Sequence, residues 1–238
     1  QYEFIKTFLI LCFSKSYKEI DFLHVAGHSG GTAAALLWSN IKKIPVLMEL
    51  VTEYARHQQK LLFIFKVQPY KNSKIVTLTE KTKQECIRLG VQDNKLWCRP
   101  NPIDSEKFKC EPEKRYNLRK ELTSFNENQI VIGNVAKIIP QKNQYLILEA
   151  LQYLPGNFVT LLAGPFIKEG PLLSRDKFYL DKIHDFIRKS SLENRVCLIT
   201  DFVDAEPYMK LSDIYAMPAY NEGFGTPMIE DLVCRLLL

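Results

Sequence analysis

The sequence predicts an α/β fold of two domains, each a parallel sheet covered by helices. Short β-rich runs alternate with segments of helical period along most of the chain, the pattern of strands joined by helical crossovers. A polar stretch over residues 99–128, carrying Pro100, Pro102 and Pro112, interrupts that alternation near the middle. The 238 residues are 46% hydrophobic and 25% charged, with 10 glycines and 12 prolines, a balance that supports a real core without disulfide staples.

In order along the first half, the apolar runs at 21–25 and 44–50 read as strands flanking a helix at 32–41, where alanine and leucine dominate. Residues 73–78 form the next expected strand, 80–89 a helix and 95–98 a strand. The second half is cleaner: strands at 129–136, 158–163, 195–200 and 214–217, with helices at 143–154 and 176–190 between them. Leu146, Leu148, Leu151 and Leu154 lie partly at helical spacing and read as core. The domains are expected at 1–110 and 129–238, with 111–128 as a linker holding one short helix near 118–122.

Charge and cysteine usage exclude several classes. The net charge of +5 comes from 32 basic and 27 acidic residues that never condense into a basic run, so no nucleic-acid arm is written here. The mild excess permits a phosphate-binding groove or peripheral contact with an anionic membrane. Six cysteines are scattered without a Cys-x-x-Cys pair, which argues against a zinc ribbon or a secreted disulfide framework and for a reducing, cytoplasmic setting. The apolar stretch at 8–13 is far short of the roughly 20 residues of a spanning helix, and Lys6 and Lys15 flank it.

The most informative segment is Tyr220-Asn221-Glu222-Gly223-Phe224-Gly225-Thr226-Pro227-Met228-Ile229-Glu230, a junction of strand, loop and helix. Thr226 suits an N-cap and Pro227 the first helical position, so the glycines leave backbone N–H groups and a positive helix end facing a crevice. Glu222 on the loop and Glu230 in the first turn would flank one pocket; alternatively, Glu230 only favours the helix dipole and the glycines only make the turn. A second junction, Gly133 through Asn143, brings Lys137 and Lys142 onto one loop. Both could neutralise a diphosphate, or be ordinary solvated lysines. Gly27-His28-Ser29-Gly30-Gly31-Thr32 looks like a phosphate-cradling turn but lacks the lysine of a P-loop. His24 and His28 are four apart without the carboxylate of a zinc-protease helix and read as core or loop histidines, so no metal site is expected. Cys86 and Cys197 read as core, and no nucleophile elbow or Asp-x-Asp metal motif is present.

Taken together, Lys137 through Asn143, Leu161-Leu162-Ala163-Gly164-Pro165, Ser212-Asp213-Ile214 and the block from Glu222 to Glu230 resemble glycosyltransferase family 4, also called glycosyl transferases group 1. The spacing of the two glutamates is that family's signature. Arg99-Pro100-Asn101-Pro102-Ile103-Asp104 followed by Phe108 resembles its interdomain hinge. The resemblance implies a GT-B fold, two Rossmann-like domains facing a cleft, and transfer of a sugar from a nucleotide-diphosphate sugar with no metal or further cofactor and with retention. Lys137, usually Arg in the family, and Lys142 would contact the donor diphosphate. Glu222 would meet the transferred sugar as the catalytic residue, Glu230 the ribose hydroxyls, and Phe224 and Gly225 would offer backbone N–H groups. The implied acceptor is a glycan or lipid-linked glycan at the inner face of a membrane. A nucleotide-sugar epimerase or phosphorylase on the same fold, or a non-catalytic nucleotide-sugar binder, are the alternatives.

Three departures from the family pattern accompany the resemblance. The opening strand and glycine-rich loop have no counterpart, and the chain stops at Leu238 after Cys234-Arg235-Leu236-Leu237 without the closing helices, so the fold is expected to be incomplete at both ends. Losing those elements would expose a sheet edge and make the chain poorly soluble or dependent on a partner. On the acceptor side, Glu49 stands about where the family has a histidine, with His28 the other candidate.

Overall fold

Largely apolar runs of two to six residues become the strands of two separate parallel sheets. The computed structural model describes residues 2–13, 20–27, 30–51, 73–109, 111–220 and 222–235. Two units are distinguished: Gln1–Pro102 with Glu222–Phe224, and Ile103–Asn221 with Gly225–Leu238.

In the first unit β1 (Leu23–Ala26), β2 (Val46–Leu50), β3 (Lys74–Thr77) and β4 (Leu96–Cys98) pair in parallel, in that order. Three helices accompany them among the described residues: α1 (Tyr2–Phe13), α2 (Gly30–Lys42) and α3 (Glu80–Arg88). Val46, Met48 and Leu50 point one way from β2 and join Leu36, Ile75 and Cys86 in the core. Burial pushes the Cys86 thiol up to about 11, so it stays protonated and inert, as a core cysteine should. Thr79 caps α3 by accepting a 3.1 Å bond from the Thr82 amide. Helix α1, where the sequence showed only an apolar stretch, lays Leu11 against Ala35 and Trp38 of α2. No helix among the described residues is long and apolar enough to cross a membrane.

In the second unit β5 (Ile130–Val135), β6 (Phe158–Ala163), β7 (Val196–Ile199) and β8 (Ile214–Tyr215) form a parallel sheet of order β7-β6-β5-β8. Its helices are α4 (Pro112–Leu122), α5 (Gln144–Leu151), α6 (Leu173–Lys189), α7 (Ala205–Lys210) and α8 (Thr226–Arg235). Both faces of β5 and β6 are covered. Ile132, Leu162, Leu148 and Ile183 meet on one side, and Val131, Val159, Leu161 and Leu211 on the other, which is why these strands read as largely apolar runs and do not alternate. Gly133 allows a close approach, since a Cβ there would stand 2.1 Å from the Ser212 hydroxyl.

The stretch 111–128 is occupied by α4, with Pro112 in its first turn and its helix longer than the one expected at 118–122. Arg119 of α4 is buried. Its Nε donates to the Leu211 carbonyl at 2.8 Å, its Nη1 donates to that of Gln129 at 3.1 Å, and it pairs with Asp213. Asp213 in turn accepts from the Val131 amide at 2.7 Å, so α4 is joined through Arg119 to β5. Two parallel α/β sheets are thus present, as the GT-B expectation has it.

Candidate functional site

Strand order decides where a ligand can enter the second sheet. From β5 the chain builds outward through β6 and β7 on one side, then returns to place β8 on the other. Neighbouring loops therefore leave β5 and β8 in opposite directions, and a crevice opens at their carboxyl ends. The loops that follow these two strands are the two junctions singled out in the sequence.

They are tied to each other. The Tyr220 amide donates to the Gln141 carbonyl at 3.0 Å, and Asn134 Nδ2 donates to the Ala216 carbonyl at 2.7 Å. Tyr215 clamps the end of β5, its hydroxyl accepting from the Val135 amide and donating to the Val135 carbonyl at 3.1 Å. Beneath the β5 loop the fully buried Gln144 donates to the Lys137 carbonyl at 2.7 Å and accepts from the Tyr179 hydroxyl at 3.3 Å. Lys137 is exposed. Lys142 is half-buried and ends a 3-10 turn, Pro140–Lys142, after which Asn143 takes a left-handed conformation, φ 53°, to start α5.

Gly164, at the end of β6, makes room for this loop. Its φ is +148°, and a Cβ there would lie 2.2 Å from the Ala136 carbonyl oxygen, one residue before Lys137. Gly164→Ala is expected to destabilise the chain by about 1–3 kcal/mol. Gly156→Ala, where nothing lies within 4 Å, should stay within about 0.5 kcal/mol, and urea unfolding of the pair checks the contrast.

On the β8 side Gly225 has φ +76° and its Cβ position lies 3.4 Å from Met217 Cε. Helix α8 begins at Thr226 itself, so Gly225 holds the position before the helix and Glu230 falls in the second turn, one residue further in than the sequence suggested. Phe108 packs with Val135, Met209, Tyr215 and Cys234, which fixes α8 against the end of β5. Glu230 is half-buried. Burial pushes its carboxyl up from the ordinary glutamate range, and the Lys107 charge pulls it part of the way back. Lys107 bridges both carboxylate oxygens of Asp204 at 2.9 and 3.2 Å, and Asp204 caps α7. Lys107 lies inside the stretch that resembles the family hinge, but only the fold carries it to a partner 97 residues away.

At the carboxyl ends of β6 and β7, beside Gly164, lies a cavity of about 410 Å³ lined by Phe166, Lys168, Glu169, Thr200, Asp201 and Phe202 among others. Lys137, Lys142, Gly225 and Glu230 belong to one unit, the first three on the two linked loops and Glu230 on α8 just beyond them. Glu222 and Phe224 group with the first unit, as does Glu49. Glu49, on β2, lies 3.2 Å from Arg99 and 3.4 Å from His24. His24, read as a core or loop histidine, lies on β1 with its side chain half exposed and beside that carboxylate, so of the two the core reading does not hold. His28 lies outside the described residues, and among those described no group of three or more His, Cys, Asp or Glu is placed to hold a metal ion.

Residues 117–238 match the family model of glycosyl transferases group 1. Among curated proteins, the chain is 25% identical over 160 residues to UDP-Gal:alpha-D-GlcNAc-diphosphoundecaprenol alpha-1,3-galactosyltransferase of Escherichia coli, covering 66% of this chain and 40% of that one. Among solved structures, Alr3699/HepE of Anabaena in complex with UDP and glucose superposes with a TM-score of 0.77 at 21% identity, over 95% of this chain and 60% of that one. WaaG, a glycosyltransferase involved in lipopolysaccharide biosynthesis, gives a TM-score of 0.64 at 14% identity, covering 97% and 75%. The chain thus spans two fifths of the length of the curated relative, and the structural likenesses concern the fold.

Proposed function

We propose, from the premise that this chain belongs to the glycosyl transferases group 1 family, that it transfers a sugar from a nucleotide-diphosphate sugar to a glycan or lipid-linked acceptor. The observation that carries the reading is the linked pair of loops at the sheet's switch point, with Lys137 and Lys142 on one and Glu230 just beyond the other. The structural relative bound to UDP and glucose, and the named diphosphoundecaprenol acceptor of the curated relative, support the same classes of donor and acceptor here.

In this reading the lysines hold the diphosphate and stabilise the charge that grows on it as the glycosidic bond to the sugar breaks, a role that needs no metal ion. Glu230, ionised, accepts hydrogen bonds from the ribose hydroxyls with both oxygens. The backbone N–H groups of Phe224 and Gly225 face the donor, and Glu222 contacts the transferred sugar, with retention at its anomeric carbon. Glu49, held by Arg99, is the acceptor-side group.

Thermal melting of the purified chain with UDP, other nucleoside diphosphates and their sugars, in EDTA, tests the reading. Ligand at about a hundred times its dissociation constant should add roughly 2.7 kcal/mol of stability. Glu230→Gln should weaken nucleotide binding by about 1.5–3 kcal/mol, roughly tenfold to a hundredfold. Because the carboxyl of Glu230 sits above its ordinary range, affinity should be full above that raised value and decline as pH falls through it, a dependence that Glu230→Gln removes. In the free protein the sign is opposite. Folding favours the protonated carboxyl, so that contribution to stability is complete below the unfolded value and lost as pH rises through the folded one. No stabilisation by any nucleotide, with a cooperative melt, would refute the donor site, and binding without turnover would point to the non-catalytic alternative.

A further inference from the structure

On the second unit, α5 and α6 leave a groove between them that the donor site does not use. Two cavities, of about 430 and 310 Å³, share Tyr145, Phe178 and Lys182 and so form one continuous trough from Tyr220 to Lys189. Along α6 its lining runs from Arg175 to Lys189, roughly 20 Å at the helical rise. Two aromatic rings stand out from it that the fold has no use for: Phe178 is 74% exposed and Tyr220 77%. Tyr145 lies in the floor, with Lys182 Nζ 3.6 Å from the centre of its ring and the Phe186 ring packed edge-to-face against it, centroids 4.8 Å apart.

The polar lining selects the occupant. Arg175, Lys182 and Lys189 are matched by Glu149, Asp181 and Asp185, so the groove carries no excess of either sign. An anionic membrane or a nucleic acid calls for a surplus of cations, which is missing. A pyranose has one apolar C–H face and a rim of hydroxyls that both donate and accept. Exposed aromatic faces suit the first, and interspersed carboxylates and ammonium groups suit the second. We propose that this groove is a second carbohydrate site, one that holds a run of neutral sugar units away from the donor crevice. Tyr220, Pro140 and Asn143 line one end of it, so a glycan seated there would lie against the outer side of the loops that present Lys142. The choice of a glycan over another hydroxyl-rich ligand rests on the proposed function.

The experiment is binding of cellohexaose, maltohexaose and chitohexaose to the full chain, followed by nuclear magnetic resonance with and without saturating UDP. At least one oligosaccharide should bind saturably, unaffected by UDP and by high salt. Phe178→Ala and Lys182→Ala should each weaken it about tenfold while Phe178→Tyr restores it. Melting curves verify that these surface variants are folded. Four results would overturn the proposal: no saturable binding by any of the three, binding that the groove variants leave unchanged, competition by UDP, or self-association of the chain that Phe178→Ala abolishes. UDP affinity is measured on the same samples, so its absence strikes the donor reading and leaves the groove result standing.

Discussion

Arg119→Ala is expected to lower the stability of the second unit by about 2–4 kcal/mol, the cost of stranding hydrogen-bond acceptors and weakening an ion pair buried on the arginine side. The guanidinium is 4% exposed and serves three acceptors at once: the carbonyls of Leu211 and Gln129 and the carboxylate of Asp213. Its loss strands the buried Leu211 carbonyl and the half-buried Gln129 carbonyl, and leaves Asp213, which holds the Val131 amide, with Arg115 as a remaining charge partner. Arg119→Lys keeps the charge but not the planar fork, and should recover only part of the loss. Arg115, a quarter exposed and 3.4 Å from the same carboxylate, sets the scale: its alanine variant should cost under about 1 kcal/mol. Chemical unfolding followed by far-UV circular dichroism separates these outcomes. Equal effects at the two positions would mean that α4 is not fastened to the sheet by Arg119.

The contrast shows which levels of structure a sequence exposes. Strands β5 and β6 were legible almost to the residue, because covering both faces of a strand demands a nearly continuous apolar run, and Ile130–Val135 and Phe158–Ala163 are such runs, broken only by Gly133 and Asn134 in the first and Thr160 in the second. Helix α1 was not: its apolar residues ring the helix, so no stripe marks a face. Helix α7 is six residues with a proline inside, too short for a period to show. The two loops at the switch point could be read because their glycines and prolines leave local signatures, although Thr226, expected as the N-cap, is the first residue of α8. Their ties to the rest of the fold could not. The Tyr220 to Gln141 bond, the Lys107 to Asp204 bridge and the Glu49, Arg99 and His24 cluster all join residues that only sheet register and chain reversal bring together.

Lys142→Ala is expected to lower sugar transfer about 100- to 1000-fold, the effect of deleting one preorganised group aimed at charge that develops in the transition state. The expectation follows from position. Lys142 is half-buried at the end of a 3-10 turn, its amide donating a 3.0 Å hydrogen bond to the Ile139 carbonyl, and the left-handed Asn143 fixes the chain direction beyond it. Lys137 is exposed, and Gln144 grips its backbone carbonyl and not its side chain, so solvent screens its charge and Lys137→Ala should cost about tenfold or less. Because charge builds on the leaving diphosphate as the bond breaks, Lys142→Ala should depress kcat well beyond its effect on UDP affinity. Glu222→Gln should show the complementary pattern, a loss of transfer with UDP affinity unchanged, since the group it meets is the sugar and not the nucleotide. Single-turnover rates with a radiolabelled donor, set beside UDP affinities for the same variants, read both quantities. A parallel fall in rate and affinity would make Lys142 a binding residue only, and full activity without it would move the diphosphate elsewhere on the sheet.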